Sequence, residues 1–466
     1  MESRVLPPAS VAASQVLDGF FLPQLDSSEL AALEWTTRPA GGTRLRMPVA
    51  TPALVELVAT RLLTAQRESL AERPVMEIAE VLGRAVSRWY DPDYPRRRLA
   101  EELLPDITGY APEMVRRGLK RYLKTFRHDR LLRFLAQDFE NPLVLDGFQP
   151  DRAGGRCRAY GPRLIAQVFA GNVPGLPAWN LICGLLVKSA TLGKSATDEP
   201  LFPVLLAASV AEEDPALGRC LAILNWPGGD EEVEAAAFAH ADAVTATGGV
   251  RAVESISRRV PVGVPFIPYG HKVSFGVIGH EALALNRYAD TARRAALDVS
   301  QYDQQGCLSP HVLFVESGGA VDPRTFSAAL AAEMERFERD RPRASIALEE
   351  SAAIERVRSD YEFRAYEEAE SLQLGGRARA LRHRPHLRHR ANAATGRRLA
   401  PRRPRKPGRT GPLGRPRRGS RGRPRTLRPR VDRTPALERC QVRTHLGATP
   451  ARCSVRVRSC VTASPS

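Results

Sequence analysis

Cys307 stands in Gln304-Gln305-Gly306-Cys307-Leu308-Ser309-Pro310, behind a glycine and ahead of small and rigid residues. A glycine beside a thiol lets backbone and substrate come close, and Pro310 stiffens the exit. Thiolate is the most nucleophilic side chain available near neutral pH, so this setting suits covalent catalysis. An isolated cysteine is more often simply buried; what shifts the balance is the upstream sequence. Gly171-Asn172-Val173-Pro174-Gly175 places a side-chain amide donor in a tight turn. An Asn there is by itself an ordinary turn former. Together with the backbone N–H of Cys307, however, Asn172 makes two fixed donors for a developing oxyanion, which acyl transfer needs. Thr191-Leu192-Gly193-Lys194-Ser195 supplies a cation and a hydroxyl, and Thr247-Gly248-Gly249 allows close backbone approach to a phosphate.

These residues need a scaffold, and the hydrophobic pattern supplies one. Leu164–Ala170 reads as a buried strand running into the Gly171 turn, and Leu176–Leu186 as the helix after it. Leu221–Asn225 and Ala243–Thr247 are further strands, separated by a helix over Glu231–Ala241. His311–Val315 is a strand following the cysteine, and Asp322–Glu355 reads as helical. Strand, turn and helix in succession predict an α/β fold with a doubly wound parallel sheet and ligands at the strands' carboxyl ends. Upstream, Thr51–Tyr90 and Pro112–Ala136 are helical, the basic residues of the second block forming a solvated face. The expected organisation is an irregular segment over 1–50, helices and a dinucleotide-binding domain over 51–282, and a catalytic domain over 283–372.

Three segments, Gly171–Gly175, Tyr269-Gly270-His271-Lys272-Val273-Ser274-Phe275-Gly276 and Asp303–Pro310, occur in the order found in acyl-CoA reductases. The chain thus resembles the aldehyde dehydrogenase superfamily, and within it the acyl-CoA reductase branch typified by the reductase of bacterial bioluminescence. The resemblance covers roughly residues 45–370. It implies an aldehyde-dehydrogenase-like fold and reduction of a fatty acyl thioester to an aldehyde through an acylated Cys307, with Asn172 on the oxyanion. Lys194, Ser195, Thr247, Gly248 and Gly249 would then hold the cofactor. Superfamily members that prefer NADH often carry a Glu three residues after this Lys; here Thr197 stands there, which favours NADPH. Where many aldehyde dehydrogenases place a water-activating Glu, this chain has Pro268–Lys272 with no carboxylate. That suits a reductase, which must keep water from its thioester, and makes His271 a candidate proton carrier. Implied partners are fatty acyl-CoA or an acyl-carrying protein, and a homo-oligomer. An aldehyde dehydrogenase working oxidatively remains the alternative.

Composition sets the outer limits. Seven cysteines over 466 residues show no CxxC and no His/Cys cluster, so neither a disulfide framework nor a metal site is expected. Without a signal-like start or an 18-residue apolar run, the chain is expected to be cytoplasmic with no membrane span. The net charge of +17 is misleading. Residues 373–466 hold 26 Arg and one Lys against two acids and lack Phe, Tyr, Trp, Ile and Met, while residues 1–372 carry a net charge of −8. Such a tail cannot bury enough apolar surface to order itself and is expected to be disordered. A basic tail could grip nucleic acid, but without interleaved aromatics it lacks the stacking platforms of single-strand binders. Its abrupt onset is what a shifted reading frame yields from a GC-rich gene. The catalytic domain is then expected to be incomplete and activity impaired, which sequencing of codons 365–380 would test.

Overall fold

The computed structural model describes residues 16–152, 154–270, 272–343 and 348–371. The tail over 373–466 and His271 lie outside the described residues. Residues 16–48, expected to be irregular, instead form a three-stranded sheet of β1 (Val16–Asp18), β2 (Trp35–Ala40) and β3 (Thr43–Pro48), ordered β1-β3-β2. The signal was period-two alternation: Leu45 and Met47 point inward, and the Arg46 guanidinium lies 4.3 Å over the Trp35 ring. A short hairpin pairs β4 (Gln149–Pro150) with β5 (Arg156–Cys157).

The central sheet holds β6 (Leu164–Val168), β7 (Ala190–Lys194), β8 (Leu221–Leu224), β9 (Ala243–Thr247) and β10 (Phe266–Tyr269). Its order is β10-β9-β6-β7-β8, and every pairing is parallel. β6 to β8 are buried at every position, as expected of parallel strands covered on both faces. Chain order runs outward from β6 in both directions, so the connections reverse between β6 and β9, which in doubly wound sheets is the point where a crevice forms at the carboxyl ends. The predicted turns after Val168 and Thr247 lie on the two sides of that point. One buried polar group ties three strands together: Gln167 on β6 donates to Thr191 Oγ1 on β7 (2.9 Å) and accepts from Thr245 on β9 (3.4 Å).

The helix Pro52–Ser69 buries Leu54, Val55, Val58, Ala59 and Leu62, the periodicity of one helical face. The block predicted over Pro112–Ala136 divides into helices Pro112–Leu123 and His128–Phe139, because Arg127 takes an extended conformation. Likewise the helix predicted over Asp322–Glu355 stops at Asp340. Arg341 precedes a proline, which disfavours the helical region for it, and adopts φ −144° and ψ 76°. A second hydrophobic cluster, built on Ile278, Leu283, Leu313, Phe326 and Leu330, packs around β11 (Ser274–Ile278) and β12 (Pro310–Val315), another parallel pair. No helix among the described residues is long and apolar enough to cross a membrane.

Candidate active site

The helix Tyr288–Ser300 delivers the chain to a tight turn over Gln301–Gln304. There Tyr302, Asp303 and Gln304 lie at φ 55°, 49° and 66°. Left-handed backbone costs a non-glycine residue about 1–2 kcal/mol, so three in succession require strong anchoring. The buried Tyr302 ring packs edge-on to Tyr110 at 5.8 Å, and the Tyr302 amide donates to Met114 Sδ at 3.4 Å. Gly118, inside the helix Pro112–Leu123, faces the Tyr302 phenol; a methyl at that position would lie 3.0 Å from Tyr302 Cζ and nearer still to the hydroxyl. The left-handed run reverses the chain, and Ser309 N–H donating to the Gly306 carbonyl (3.0 Å) closes a turn with Cys307 at its exposed tip.

That tip meets the Asn172 turn. Asn172 Nδ2 donates to the Gln305 carbonyl at 2.6 Å, two residues before the cysteine. The Tyr110 hydroxyl donates to the Asn172 carbonyl (2.7 Å) and lies 3.3 Å from the Tyr302 carbonyl, bridging the turn and the cysteine segment. Ser274 on β11 donates to the Cys307 carbonyl at 2.7 Å. Two glycines permit this approach. Gly171 backs onto Ala196 and the Glu199 amide, while Gly175 at φ +92° faces Leu119 Cδ2 at 2.8 Å from where a Cβ would sit. The buried Glu199 in turn caps the helix Leu201–Glu213, accepting from the Leu201 and Phe202 amides. Burial pushes its carboxyl up to about 7, against the pull of those two amides.

Although Cys307 is exposed, desolvation by the protein around its thiol holds it above its ordinary range, with its own amide N–H opposing. Desolvation disfavours the thiolate, so the thiol stays protonated to higher pH than a free cysteine. The rate of Cys307 alkylation by iodoacetamide is therefore expected to rise about tenfold per pH unit through neutrality, with no plateau below about pH 8.5. A plateau near pH 7, followed by peptide mapping to Cys307, would show instead that a base activates it. His271, the expected proton carrier, lies outside the described residues.

On the cofactor side, β7 ends at Lys194 and β9 at Thr247. Lys194 is buried, its ammonium 5.8 Å from the Trp226 ring centre. Desolvation lowers its pKa, Glu234 acting the other way, and among the described residues the ammonium has no ion pair or side-chain hydrogen bond, only the Trp226 ring beside it. A buried cation with no carboxylate bonded to it, at the carboxyl edge of a parallel sheet, fits the phosphate or ribose of a dinucleotide. Gly249 begins the helix Val250–Ser257 with open space where a side chain would project, and the Gly248 amide donates to the Tyr269 carbonyl at 3.2 Å. Ser195 departs from the expectation. Fully buried, it donates its hydroxyl to the Leu224 carbonyl (3.2 Å) and accepts from Asn225, so in this structure its hydroxyl is engaged between the ends of β7 and β8. The reason is strand alternation: neighbours in an extended chain point to opposite sides. The neutral Thr197 is exposed. Elsewhere His280, Glu281 and Glu316 converge at the surface, where His280 pairs with Glu316 at 2.9 Å.

Tyr110, Gly118, Tyr302 and Ser274 hold the site, and sequence reasoning assigned none of them a role. Ser274 lay inside a quoted motif, and a glycine amid a helix of long side chains signals close packing. The tyrosines offered no such mark, since their contacts join segments 62 and 192 residues apart.

The acyl-CoA reductase (LuxC) family model matches residues 70–375 and stops where the composition changes. The chain is 24% identical over 282 residues to the long-chain acyl-protein thioester reductase of Vibrio harveyi, covering 59% of this chain and 57% of that protein. Its counterpart from Photobacterium phosphoreum is 22% identical over 300 residues, covering 63% and 59%. The chain therefore spans less than two thirds of the length of these relatives. Among solved structures, the aldehyde dehydrogenase KauB of Pseudomonas aeruginosa superposes with a TM-score of 0.53 at 14% identity, over 69% of this chain and 63% of that one. The NADP-dependent glyceraldehyde-3-phosphate dehydrogenase of Bacillus halodurans C-125, complexed with NADP, gives 0.51 at 16% identity, over 69% and 65%. These two share the fold, and the sequence match over more than half of its length shows that the chain belongs to the acyl-CoA reductase (LuxC) family.

Proposed function

We propose that this protein reduces a long-chain acyl thioester, carried by coenzyme A or by a partner protein, to a fatty aldehyde with NADPH. The observation that carries the reading is the 2.6 Å bond from Asn172 Nδ2 to the Gln305 carbonyl, which holds an amide donor against the backbone that presents Cys307. The Cys307 thiolate attacks the thioester carbonyl, and the charge on its oxygen is taken up by Asn172 and the Cys307 N–H as the carrier thiol leaves. Lys194, Thr247, Gly248 and Gly249 would hold the cofactor, which when bound supplies a hydride for the Cys307 thioester. The same donors then stabilise the thiohemiacetal oxygen until collapse frees the aldehyde and restores the thiolate. Thr197 supports NADPH, because no carboxylate there repels a 2′-phosphate. Incubation with acyl-CoA and NADPH should yield aldehyde, whereas acid formed from aldehyde and NADP alone would favour the oxidative reading.

Lys194→Met tests the cofactor side separately. Removing one charge-assisted bond is expected to weaken NADPH binding about 10- to 100-fold, measured by quenching of protein fluorescence. Acylation of Cys307 by acyl-CoA should be unchanged; unaltered NADPH affinity would exclude Lys194 from the cofactor site.

A further inference from the structure

Asn172 is exposed, in the bend that joins β6 to the helix Pro177–Leu186, with glycines at 171 and 175. An amide on such a loop keeps one direction only if something ties its backbone. Tyr110 supplies a tie. It follows Gly109, which closes the helix Pro95–Thr108 at φ 71°, and precedes the helix Pro112–Leu123, so the chain is anchored on both sides of it. Its buried ring packs edge-on to Tyr302, and its hydroxyl reaches the Asn172 carbonyl at 2.7 Å and the Tyr302 carbonyl at 3.3 Å. A hydroxyl has one proton to donate. The shorter contact is to Asn172, so deleting the hydroxyl is felt first in the amide's turn.

The amide needs that tie because its two N–H groups have different tasks. Nδ2 gives one proton to the Gln305 carbonyl at 2.6 Å, which leaves the second N–H for the oxygen of an attacked carbonyl. The direction of that second N–H is set by the amide plane, held at its tip by Gln305 and at its root by the main chain of Asn172. We propose that Tyr110 is a positioning residue for acyl transfer, its hydroxyl aiming the Asn172 amide at the oxyanion beside Cys307 without touching substrate, a role that rests on the acyl-transfer chemistry above. Two duties then divide within one clamp. The Tyr110 hydroxyl serves the oxyanion donor, whereas the Tyr302 ring and the left-handed run that starts there serve the thiol.

The test uses the full chain and Tyr110→Phe, which keeps the ring and its packing on Tyr302 and deletes only the hydroxyl. The probe is p-nitrophenyl acetate: the Cys307 sulfur takes the acetyl group, nitrophenolate leaves, and the thiol proton passes to solvent. The acylation rate constant, read from the nitrophenolate burst, is expected to fall about 10- to 100-fold. The ester concentration at half-saturation should change less than about twofold, since the lost interaction belongs to the transition state. Alkylation of Cys307 by iodoacetamide forms no oxyanion and should keep the parent rate. In an Asn172→Ala background the same substitution should cost less than about twofold further, because the group it aims is absent. An unchanged burst overturns the proposal, as does full additivity with Asn172→Ala or an equal loss of alkylation. If the parent takes acetyl from the ester yet forms no aldehyde from a long-chain acyl thioester and NADPH, the reductase reading fails, while the burst measurements still decide the role of Tyr110.

Discussion

Cys307→Ala is expected to abolish acyl transfer to the protein and aldehyde formation together. The thiol sits at the exposed tip of a turn whose preceding residues are forced into a left-handed path, and Asn172 and Ser274 bind the backbone on either side of it. That architecture leaves one sulfur atom at the tip of the turn. Removing a covalent nucleophile from an organised site costs on the order of 10⁴-fold or more in rate. Labelled acyl-CoA followed by gel autoradiography reads the first step, and aldehyde trapping reads the second. Because Cys157, Cys183 and Cys220 are the other described cysteines, residual label should be mapped to a residue before it is interpreted. Aldehyde produced at the parent rate would rule out the covalent mechanism altogether. The substitution itself is small and exposed, so thermal unfolding should be little changed, which separates loss of chemistry from loss of fold.

Gly118→Ala is expected to damage a site it never touches directly. By helix propensity alone the change should stabilise the helix Pro112–Leu123 by about 1 kcal/mol. The added methyl, however, would fall on the Tyr302 phenol, which is buried and cannot swing to solvent. Overpacking of this kind costs about 1–3 kcal/mol, so the steric term wins and the melting temperature falls. Tyr302 begins the left-handed run, so its displacement tilts Cys307 away from Asn172; misplacement by about 1 Å costs roughly 10²-fold. Adding Tyr302→Phe removes the clashing oxygen and should restore part of both stability and acylation rate. A stabilised Gly118→Ala protein with normal acylation would mean that the helix does not brace the nucleophile turn.

The parts of this molecule legible in its sequence are those where local pattern and tertiary setting agree. β6, β8 and β9 stood out because strands covered on both faces are mostly apolar, and the turns after β6 and β9 because glycines punctuate them. The break at Arg341 was legible too, in the proline that follows it, but the long helical pattern on both sides masked it. β1 to β3 were missed for a related reason: two-residue alternation interrupted by prolines and glycines is a weaker signal than a run of apolar residues. Ser195 shows the converse error. It stands beside Lys194 in sequence, and only the packed structure shows its hydroxyl bonded to the end of the neighbouring strand.

The sequence by itself determined which groups are available: a thiol behind a glycine, an amide in a tight turn, a lysine at a strand end, and family membership through their order. Those are properties of short segments, and short-range chemistry preserves them in the residue string. Only the tertiary structure decided what these groups do to one another. Tyr110 and Tyr302 clamp the amide's turn to the thiol's turn, and Gly118 makes room for the clamp. Such couplings depend on distance across the fold, which chain separation does not encode. The candidate thiol could thus be found in one line of sequence, whereas the left-handed turn that presents it exists only once the chain is packed.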